Sequence, residues 1–204
     1  MLRPIGVLLA GGASTRMGTD KADVAVAGKA MADWVLAALG RVCDRVVVAG
    51  RVEGIGPVEG IPDPFEDRRG PLAGLVAALE REAAPVLVVA TDQPWARTAT
   101  LERLAEMVDD LPVVPIGRDG SRQTTCAVYP PGILSVALDE LLAGSSIQAV
   151  LDRTAFTPVH PDTWLAWGED GRSWYSADTP DAIEHGLKVY GPPGSDVPID
   201  QPPT

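Results

Sequence analysis

The hydrophobic positions in the first half of the chain form short continuous runs that alternate with helical stripes. Three runs are apolar and rich in β-branched residues or Leu, which is typical of strands buried on both faces: 5–10, 45–49 and 85–90. Apolar residues recur at helical spacing in three further segments, 29–39, 71–82 and 98–108. Alternating strands and helices predict an α/β domain layered around a parallel sheet.

The second half has a less regular pattern. Two predicted strands flank a turn at Asp119 and Gly120, and a predicted helix follows. Ser145 and Gln148 have the spacing of a capping box that opens another helix. Thr179 is predicted to cap a last helix that ends near residue 190. The ranges are strands 111–116 and 123–129, helix 133–142, the helix to about 153, and short strands 156–160, 163–167 and 173–177.

The chain length and composition predict one compact domain over residues 1–190. The chain has 204 residues, of which 46% are hydrophobic. Residues 191–204 include five prolines and are predicted to be disordered. No apolar run is long enough to cross a bilayer, and the first residues resemble neither a signal peptide nor an anchor, so we expect a cytoplasmic protein without membrane contact. Cys43 and Cys126 are expected to be buried, reduced thiols.

The net charge of −11 argues against a nucleic-acid partner, because contacts to phosphates need clustered Lys and Arg. A small molecule is the more natural ligand of such a chain. If that ligand is an anion, the protein must concentrate positive charge at one place.

A glycine-rich loop after the first strand provides such a place. It contains Gly11, Gly12 and Ser14, followed by Arg16 and Lys21. Ligands of open α/β sheets bind at the carboxyl ends of the strands, where glycines let several backbone N–H groups approach one anion. Arg binds two oxygens at once and Lys acts as a point charge, so the loop suits a triphosphate. Its spacing fits neither the dinucleotide-binding nor the P-loop pattern.

Asp92 follows the strand 85–90 and is therefore expected at the same edge of the sheet. A carboxylate there suits Mg²⁺, which prefers one or two carboxylates together with phosphate oxygens and water. From its position alone, Asp92 could equally be a cap of a turn.

The loop resembles the L-A-G-G-x-S-x-R-M-G-x-D-K signature of the molybdenum cofactor guanylyltransferases (MobA), with every fixed position present. Residues 63–74 are similar to the D-x(6)-G-P-L-A-G segment of that family. Thr-Asp-Gln-Pro at 91–94 and Asp-Thr-Pro-Asp at 178–181 continue the resemblance in the same order. It covers residues 5 to about 188.

The resemblance implies a three-layer, Rossmann-like nucleotidyltransferase fold with a mostly parallel central sheet. It also implies transfer of GMP from GTP to the terminal phosphate of molybdopterin that carries molybdenum, with Mg²⁺ as cofactor and pyrophosphate as leaving group. The implied protein partners are those that insert molybdenum or accept the finished cofactor. No covalent nucleophile is needed, and His160 and His185 lie outside every motif.

The site residues carry over from the family by position. Arg16, Lys21 and Asp92 are implied in catalysis, and Asp92 and Asp178 as metal ligands. A structural role for Asp178 beside the last helix stays open. The implied nucleotide contacts are Leu9, Ala10, Gly11, Gly12, Ser14, Lys21, Asp63, Gly70, Pro71 and Asp92.

Two positions depart from the family pattern. Ala49 stands where relatives carry Asn, with Arg51 two residues on, which removes one expected contact to the base or ribose. Asp178 replaces a common Asn and adds negative charge near any metal.

Residues 118–125, with Arg122 and Gln123, resemble the region facing the pterin, or form only a polar hairpin. Three tryptophans are candidates either for stacking on a pterin or for the core: Trp164, Trp167 and Trp174.

Two rival functions remain. A molybdopterin cytidylyltransferase, or another MobA-like NTP transferase, would share the fold, but cytidylyltransferases typically have Ala in place of Gly11 and lack the Gly-Pro-Leu-Ala-Gly segment at 70–74. A non-catalytic nucleotide-binding module would not need Arg16, Lys21 and Asp92 together. Both comparisons favour a guanylyltransferase.

Overall fold

The computed structural model describes residues 3–10, 24–50, 55–61 and 70–194. Nine strands and seven α-helices lie within these residues. The strands are β1 Ile5–Ala10, β2 Ala25–Val26, β3 Lys29–Ala30, β4 Val46–Gly50, β5 Glu59–Ile61, β6 Val86–Ala90, β7 Val113–Pro115, β8 Cys126–Tyr129 and β9 Thr157–Val159. The helices are α1 Met31–Val42, α2 Pro71–Glu82, α3 Thr98–Glu106, α4 Leu134–Leu142, α5 Ile147–Arg153, α6 Pro161–Ala166 and α7 Pro180–Tyr190.

Seven strands form one twisted sheet in the order β5-β4-β1-β6-β8-β7-β9. All of them run parallel except β8, which is antiparallel to both its neighbours. The first strand lies inside the sheet, with β4 on one side and the central strand β6 on the other. The predicted mostly parallel sheet is confirmed. The short β2–β3 hairpin was not predicted.

Helices cover both faces of the sheet. Alternate residues of β1 face opposite layers, so Val7 and Leu9 pack with α2, α4 and α5, while Leu8 packs with α1, α3 and α6. The molecule is therefore the expected three-layer α/β arrangement.

Most predicted elements of the first half are confirmed. The strand β1 and the helix α2 have the predicted bounds, β4 is shifted by one residue at both ends, and β6 begins one residue later than predicted. In the second half, α7 begins as expected, because the Thr179 hydroxyl accepts a hydrogen bond of 3.1 Å from the Ala182 N–H.

The predicted strand 163–167 is wrong, because this segment lies in the helix α6. Pro161 occupies the first helical position, where its missing N–H costs nothing. Trp164 is completely buried, and its indole N–H donates to the Ile116 carbonyl at 2.9 Å. Trp164 and Trp167 pack on the same core, and their separation of three residues puts them on one face of a helix, whereas in a strand they would face opposite sides.

The predicted strand 173–177 is also wrong. A 3-10 turn covers Arg172–Trp174, and the following residues form no strand. The buried Glu169 carboxylate stabilises the turn in this segment, because it accepts hydrogen bonds from the backbone N–H groups of Asp170, Gly171 and Ser173.

The capping box at 145–148 is wrong, although the helix that it was expected to open is present as α5. Neither serine side chain caps that helix. Ser145 is instead a hydrogen-bond partner of the Glu140 carboxylate, and Gln148 donates to the Arg122 carbonyl at 3.1 Å.

Three further predictions concern the whole chain. Cys43 and Cys126 are both buried and free, as expected. Within the described residues, no helix is long and apolar enough to cross a membrane. Of the predicted tail, 191–194 are described and 195–204 lie outside the described residues, so its disorder stays a prediction.

Candidate functional site

The carboxyl ends of β1 and β6 meet at the centre of the sheet. At this point the strand order reverses, because the chain passes from β1 to β4 and β5 on one side and then returns to β6 on the other side of β1. Ligands of open α/β sheets bind in the crevice at such a switch point. The Leu9 carbonyl accepts hydrogen bonds from both the backbone N–H and the hydroxyl of Thr91, at 3.2 and 3.0 Å. These bonds fix the turn that carries Asp92 beside the end of β1.

Asp92 is half-buried at this edge, and the segment before α7 lies against it. The Ala177 N–H donates to the Asp92 backbone carbonyl at 2.7 Å. The Ser176 hydroxyl donates to the Asp92 carboxylate at 3.0 Å. Asp178 is the next residue after this contact, so the structure brings the two predicted metal ligands to the same part of the edge.

Asp178 also faces the aromatic residues beside α7. Burial, and then the negative charge of Asp178, raise the pKa of the Tyr175 hydroxyl. The Tyr175 hydroxyl donates to the Ala182 carbonyl of α7 at 2.9 Å. Asp178 is thus held between the Asp92 turn and the start of the last helix.

Gln93 is a further site residue whose role the sequence did not reveal. Its side chain is buried, its carbonyl oxygen accepts from the Ala90 N–H, and its amide donates to the Thr125 hydroxyl, both at 3.1 Å. It therefore connects the Asp92 turn to the residue just before β8. A polar residue after a buried strand was the available signal, but its partner lies far away in sequence.

The helix α2 starts at the same edge, because it follows β5 and leads back to the start of β6. Gly70 has φ of 70° and ψ of −163°, a backbone conformation that favours glycine, and Pro71 occupies the first helical position.

A β-carbon added at Gly74 would lie 3.0 Å from a methyl carbon of Leu9 and 3.3 Å from the β-carbon of Ala49. The glycine at 74 therefore allows α2 to pack closely on the strands that carry the site. Ala49 is itself buried beneath the helix, so it offers no polar group to a nucleotide.

Two carboxylates at one edge of the sheet match the requirements of Mg²⁺, which prefers one or two carboxylates together with phosphate oxygens and water. Asp92 and Asp178 are the described residues that would hold it. Among the residues that the structure describes, no group of three or more His, Cys, Asp or Glu is placed to bind a metal. The donor set thus fits a cation that is shared with a bound phosphate chain.

Several predicted site residues lie outside the described ranges, and their roles stay predictions: Gly11, Gly12, Ser14, Arg16, Lys21 and Asp63. Arg51 lies outside them too. Of the predicted set, the structure places Leu9, Ala10, Gly70, Pro71, Asp92 and Asp178 on elements that end or begin at this edge.

The region predicted to face a pterin is a turn at Asp119 and Gly120, as expected. The Ser121 hydroxyl and N–H donate to Asp119 and hold the pKa of its carboxyl below the usual range. Arg122 pairs with Asp152 at 2.7 Å. Contact with a pterin stays a prediction.

The structure distinguishes between the two interpretations of the tryptophans, which were stacking on a pterin and packing in the core. Trp164 is completely buried and meets Trp174 edge to face, with ring centroids 5.3 Å apart. Trp167 and Trp174 are partly buried and pack on the same core. Stacking of Trp164 on a ligand is excluded by this burial, which confirms the core interpretation for that residue. His160 and His185, which lie outside every motif, are both exposed.

Comparisons with known proteins agree with this geometry. Residues 6–159 match the MobA-like NTP transferase domain. A protein of Natronomonas pharaonis named Probable molybdenum cofactor guanylyltransferase is 32% identical over 196 residues, which cover 88% of this chain and 94% of the relative. The Molybdenum cofactor guanylyltransferase of Rhizobium johnstonii is 30% identical over 76% of this chain and 80% of the relative.

A crystal structure shows the same fold. It is the Molybdopterin-guanine dinucleotide biosynthesis protein A of Archaeoglobus fulgidus, which superposes with a TM-score of 0.79 at 22% identity and covers 91% of this chain and 98% of that one. Together with the matched domain and the similarity in sequence, the arrangement of Asp92 and Asp178 at the switch point leads to one conclusion. The chain belongs to the MobA-like NTP transferase family.

Proposed function

We propose that this nucleotidyltransferase transfers GMP from GTP to the terminal phosphate of molybdopterin that carries molybdenum. The observation that carries the proposal is the contact between the Asp92 turn and residues 176–177 at the switch point, which brings two carboxylates to the edge where the predicted phosphate loop begins. The relatives named as guanylyltransferases support guanine as the base. We also propose the cytoplasm as the location, with the proteins that insert molybdenum or accept the cofactor as partners.

The reaction is a displacement at the α-phosphorus of GTP. A terminal phosphate oxygen of molybdopterin forms the new bond, the bond to the oxygen bridging the α- and β-phosphorus breaks, and pyrophosphate leaves with that electron pair. Such chemistry depends on positioning and on neutralising charge, and no covalent nucleophile is needed.

Each side chain has a defined task in this proposal. Asp92 and Asp178 hold Mg²⁺, which when bound neutralises charge on the phosphates. Arg16 and Lys21 provide positive charge to the phosphate chain from the loop after β1. The Thr91 and Gln93 hydrogen bonds fix the Asp92 turn, so its carboxylate does not have to be reorganised during the reaction.

Nucleotide selectivity tests this function. The protein should be mixed with Mg²⁺ and molybdenum-loaded molybdopterin, and pyrophosphate release measured with GTP or with CTP. We expect release with GTP and at least tenfold less with CTP, and a larger rise in melting temperature with GTP, because a ligand that binds only the native state stabilises it in proportion to its affinity.

Two outcomes would contradict the proposal in different ways. Faster release from CTP would assign the chain to the cytidylyltransferases. Stabilisation by GTP without any pyrophosphate release would identify a nucleotide-binding module that does not catalyse transfer.

A further inference from the structure

A basic cavity lies between α1 and α3, in the helical layer beside the Asp92 turn. Its volume is about 120 Å³, and four basic residues line it. They are Lys29, Arg41, Arg97 and Arg172. Among the residues that the structure describes, no Asp or Glu lines the cavity, although the chain as a whole carries a net charge of −11. This local reversal of charge is what an acidic protein needs in order to hold an anion.

Three of the four cations are available to a ligand. Arg172 is buried and pairs with Asp170 at 2.7 Å. Lys29, Arg41 and Arg97 form no ion pair with a carboxylate of the residues that the structure describes. The Lys29 ammonium lies 4.7 Å from the centre of the Trp34 ring, which also lines the cavity.

Arg97 has an unsatisfied hydrogen-bond donor at this place. One terminal nitrogen of its guanidinium donates to the Gly168 carbonyl, but its Nε is buried and has no hydrogen-bond partner in the described part of the chain. A buried donor without an acceptor is costly, and it is most costly on a charged group. The charge of Asp170 already acts on this guanidinium, and an anion in the cavity would add a second negative charge beside it.

The start of α3 adds further positive potential. Thr98 begins this helix and lines the cavity, the helix has nine residues, and its first turn contains no acidic residue. Arg97, the residue before the helix, places no side-chain acceptor on its first turn, and the Arg97 N–H donates to the Ser173 hydroxyl at 3.0 Å. The N-terminus of a helix favours anions through the N–H groups of its first turn and the helix dipole.

Size and charge select the ligand. A carboxylate brings one negative charge, whereas a phosphate group brings about two at neutral pH. The cavity of about 120 Å³ has room for several water molecules, and therefore for one phosphate group or for the two of pyrophosphate. We propose that the cavity between α1 and α3 binds phosphate or pyrophosphate, at a site additional to the nucleotide loop.

Calorimetric titration with inorganic phosphate and with pyrophosphate tests this site in the full-length chain. The test variant is Lys29→Gln/Arg41→Gln, which removes two cations and leaves the bond from Arg97 to Gly168 in place. The matched control is Arg3→Gln/Arg103→Gln, which changes the net charge by the same amount. Arg3 pairs with Asp44 and Arg103 with Glu106, and both arginines are exposed and do not line the cavity. Both variants should unfold near the wild-type temperature.

A third variant, Arg16→Ala/Lys21→Ala, separates the cavity from the predicted nucleotide loop. We expect one class of phosphate binding that persists in this variant and in the surface control, but that weakens at least fivefold in Lys29→Gln/Arg41→Gln. Equal binding by Lys29→Gln/Arg41→Gln and wild type would overturn the proposal. So would the loss of all binding in the nucleotide-loop variant. Tighter binding of tetraglutamate than of pyrophosphate would show that the cavity recognises an acidic peptide instead. All these outcomes are independent of guanylyl transfer.

Discussion

The backbone carbonyl and the carboxylate of Asp92 have different partners. The Ala177 N–H donates to the carbonyl and the Ser176 hydroxyl donates to the carboxylate. A substitution can therefore change the charge of the Asp92 side chain while the backbone bond keeps residue 92 in position. If Asp92 served only to cap the turn, the turn would depend on the Asp92 side chain. Here the turn is also fixed by hydrogen bonds from the Thr91 hydroxyl and to the Gln93 side chain, so it does not depend on the Asp92 carboxylate alone.

Replacing Ser176 with Ala removes a hydroxyl that donates to the Asp92 carboxylate. A hydrogen bond to a charged group contributes about 1.5–3 kcal/mol when it is buried, and an exposed one such as this contributes less. We expect transfer to fall about three- to tenfold, with a higher Mg²⁺ concentration at half-maximal rate. Titration of the rate with Mg²⁺ provides the measurement.

The matched control for this prediction is Ser145→Ala. Ser145 is also an exposed serine that bonds a carboxylate, that of Glu140, and it lies between α4 and α5. This control should leave the Mg²⁺ dependence unchanged. If Ser176→Ala and Ser145→Ala gave the same profile, the Ser176 contact would have no role at the site.

At the level of elements, α7 is docked through one glycine. A β-carbon at Gly186 would lie 2.5 Å from the Trp95 ring, so no larger residue fits without movement. Trp95 follows the Asp92 turn, and α7 follows Asp178, so this contact holds the two segments together. The Trp95 indole N–H also donates to the Gly191 carbonyl beyond the helix, at 2.8 Å.

Gly186→Ala should destabilise the protein by about 1–3 kcal/mol, because a methyl group must enter a filled contact. The control is Gly40→Ala in α1, where an added β-carbon meets nothing within 4 Å. That change should stabilise by up to about 1 kcal/mol, since Ala favours a helix interior. Urea unfolding measures both free energies. Equal stability of the two variants would show that Gly186 does not determine how α7 docks.

The elements that sequence could predict are those whose signals are local. The bounds of α2 follow from Gly70 and Pro71 at its start and from one apolar face, and the central strands follow from continuous apolar runs. The two misassigned strands, 163–167 and 173–177, depend on distant partners. Trp164 is fixed by Ile116, and Glu169 by Thr100, which neither periodicity nor propensity can reveal.

The same division applies to the candidate site. Asp92 could be placed at the edge because it follows a buried strand, and Asp178 could be assigned only through the family resemblance. The roles of Gln93 and Ser176 were missed, because their partners are 32 and 84 residues away. Contacts of that length become visible only when the fold is known.

For the whole molecule, the two buried thiols predict how stability depends on alkaline pH. Burial, followed by the charge of Asp44, raises the pKa of Cys43 from 9.0 to about 12. Burial also raises the pKa of Cys126. Above pH 9 the unfolded chain loses thiol protons that the folded chain keeps, so the free energy of unfolding must fall as pH rises.

We expect each thiol to contribute a loss that approaches about 1.4 kcal/mol per pH unit above its unfolded pKa. Urea unfolding between pH 9 and 10 measures the slope before most tyrosines of the unfolded chain ionise. The variant Cys43→Ala/Cys126→Ala should show a shallower slope. An unchanged slope would mean that the thiols are ionised equally readily in both states.

Guanylyl transfer by Asp92→Asn tests the central claim most directly. Asn keeps the size of the side chain and an oxygen that can accept from Ser176, and the backbone bond from Ala177 is unaffected. The claim predicts a variant that melts near the wild-type temperature without ligand, loses Mg²⁺-dependent stabilisation by GTP, and releases pyrophosphate at least about a hundredfold more slowly. Near-normal transfer by a correctly folded Asp92→Asn protein would contradict a catalytic metal site at this edge of the sheet.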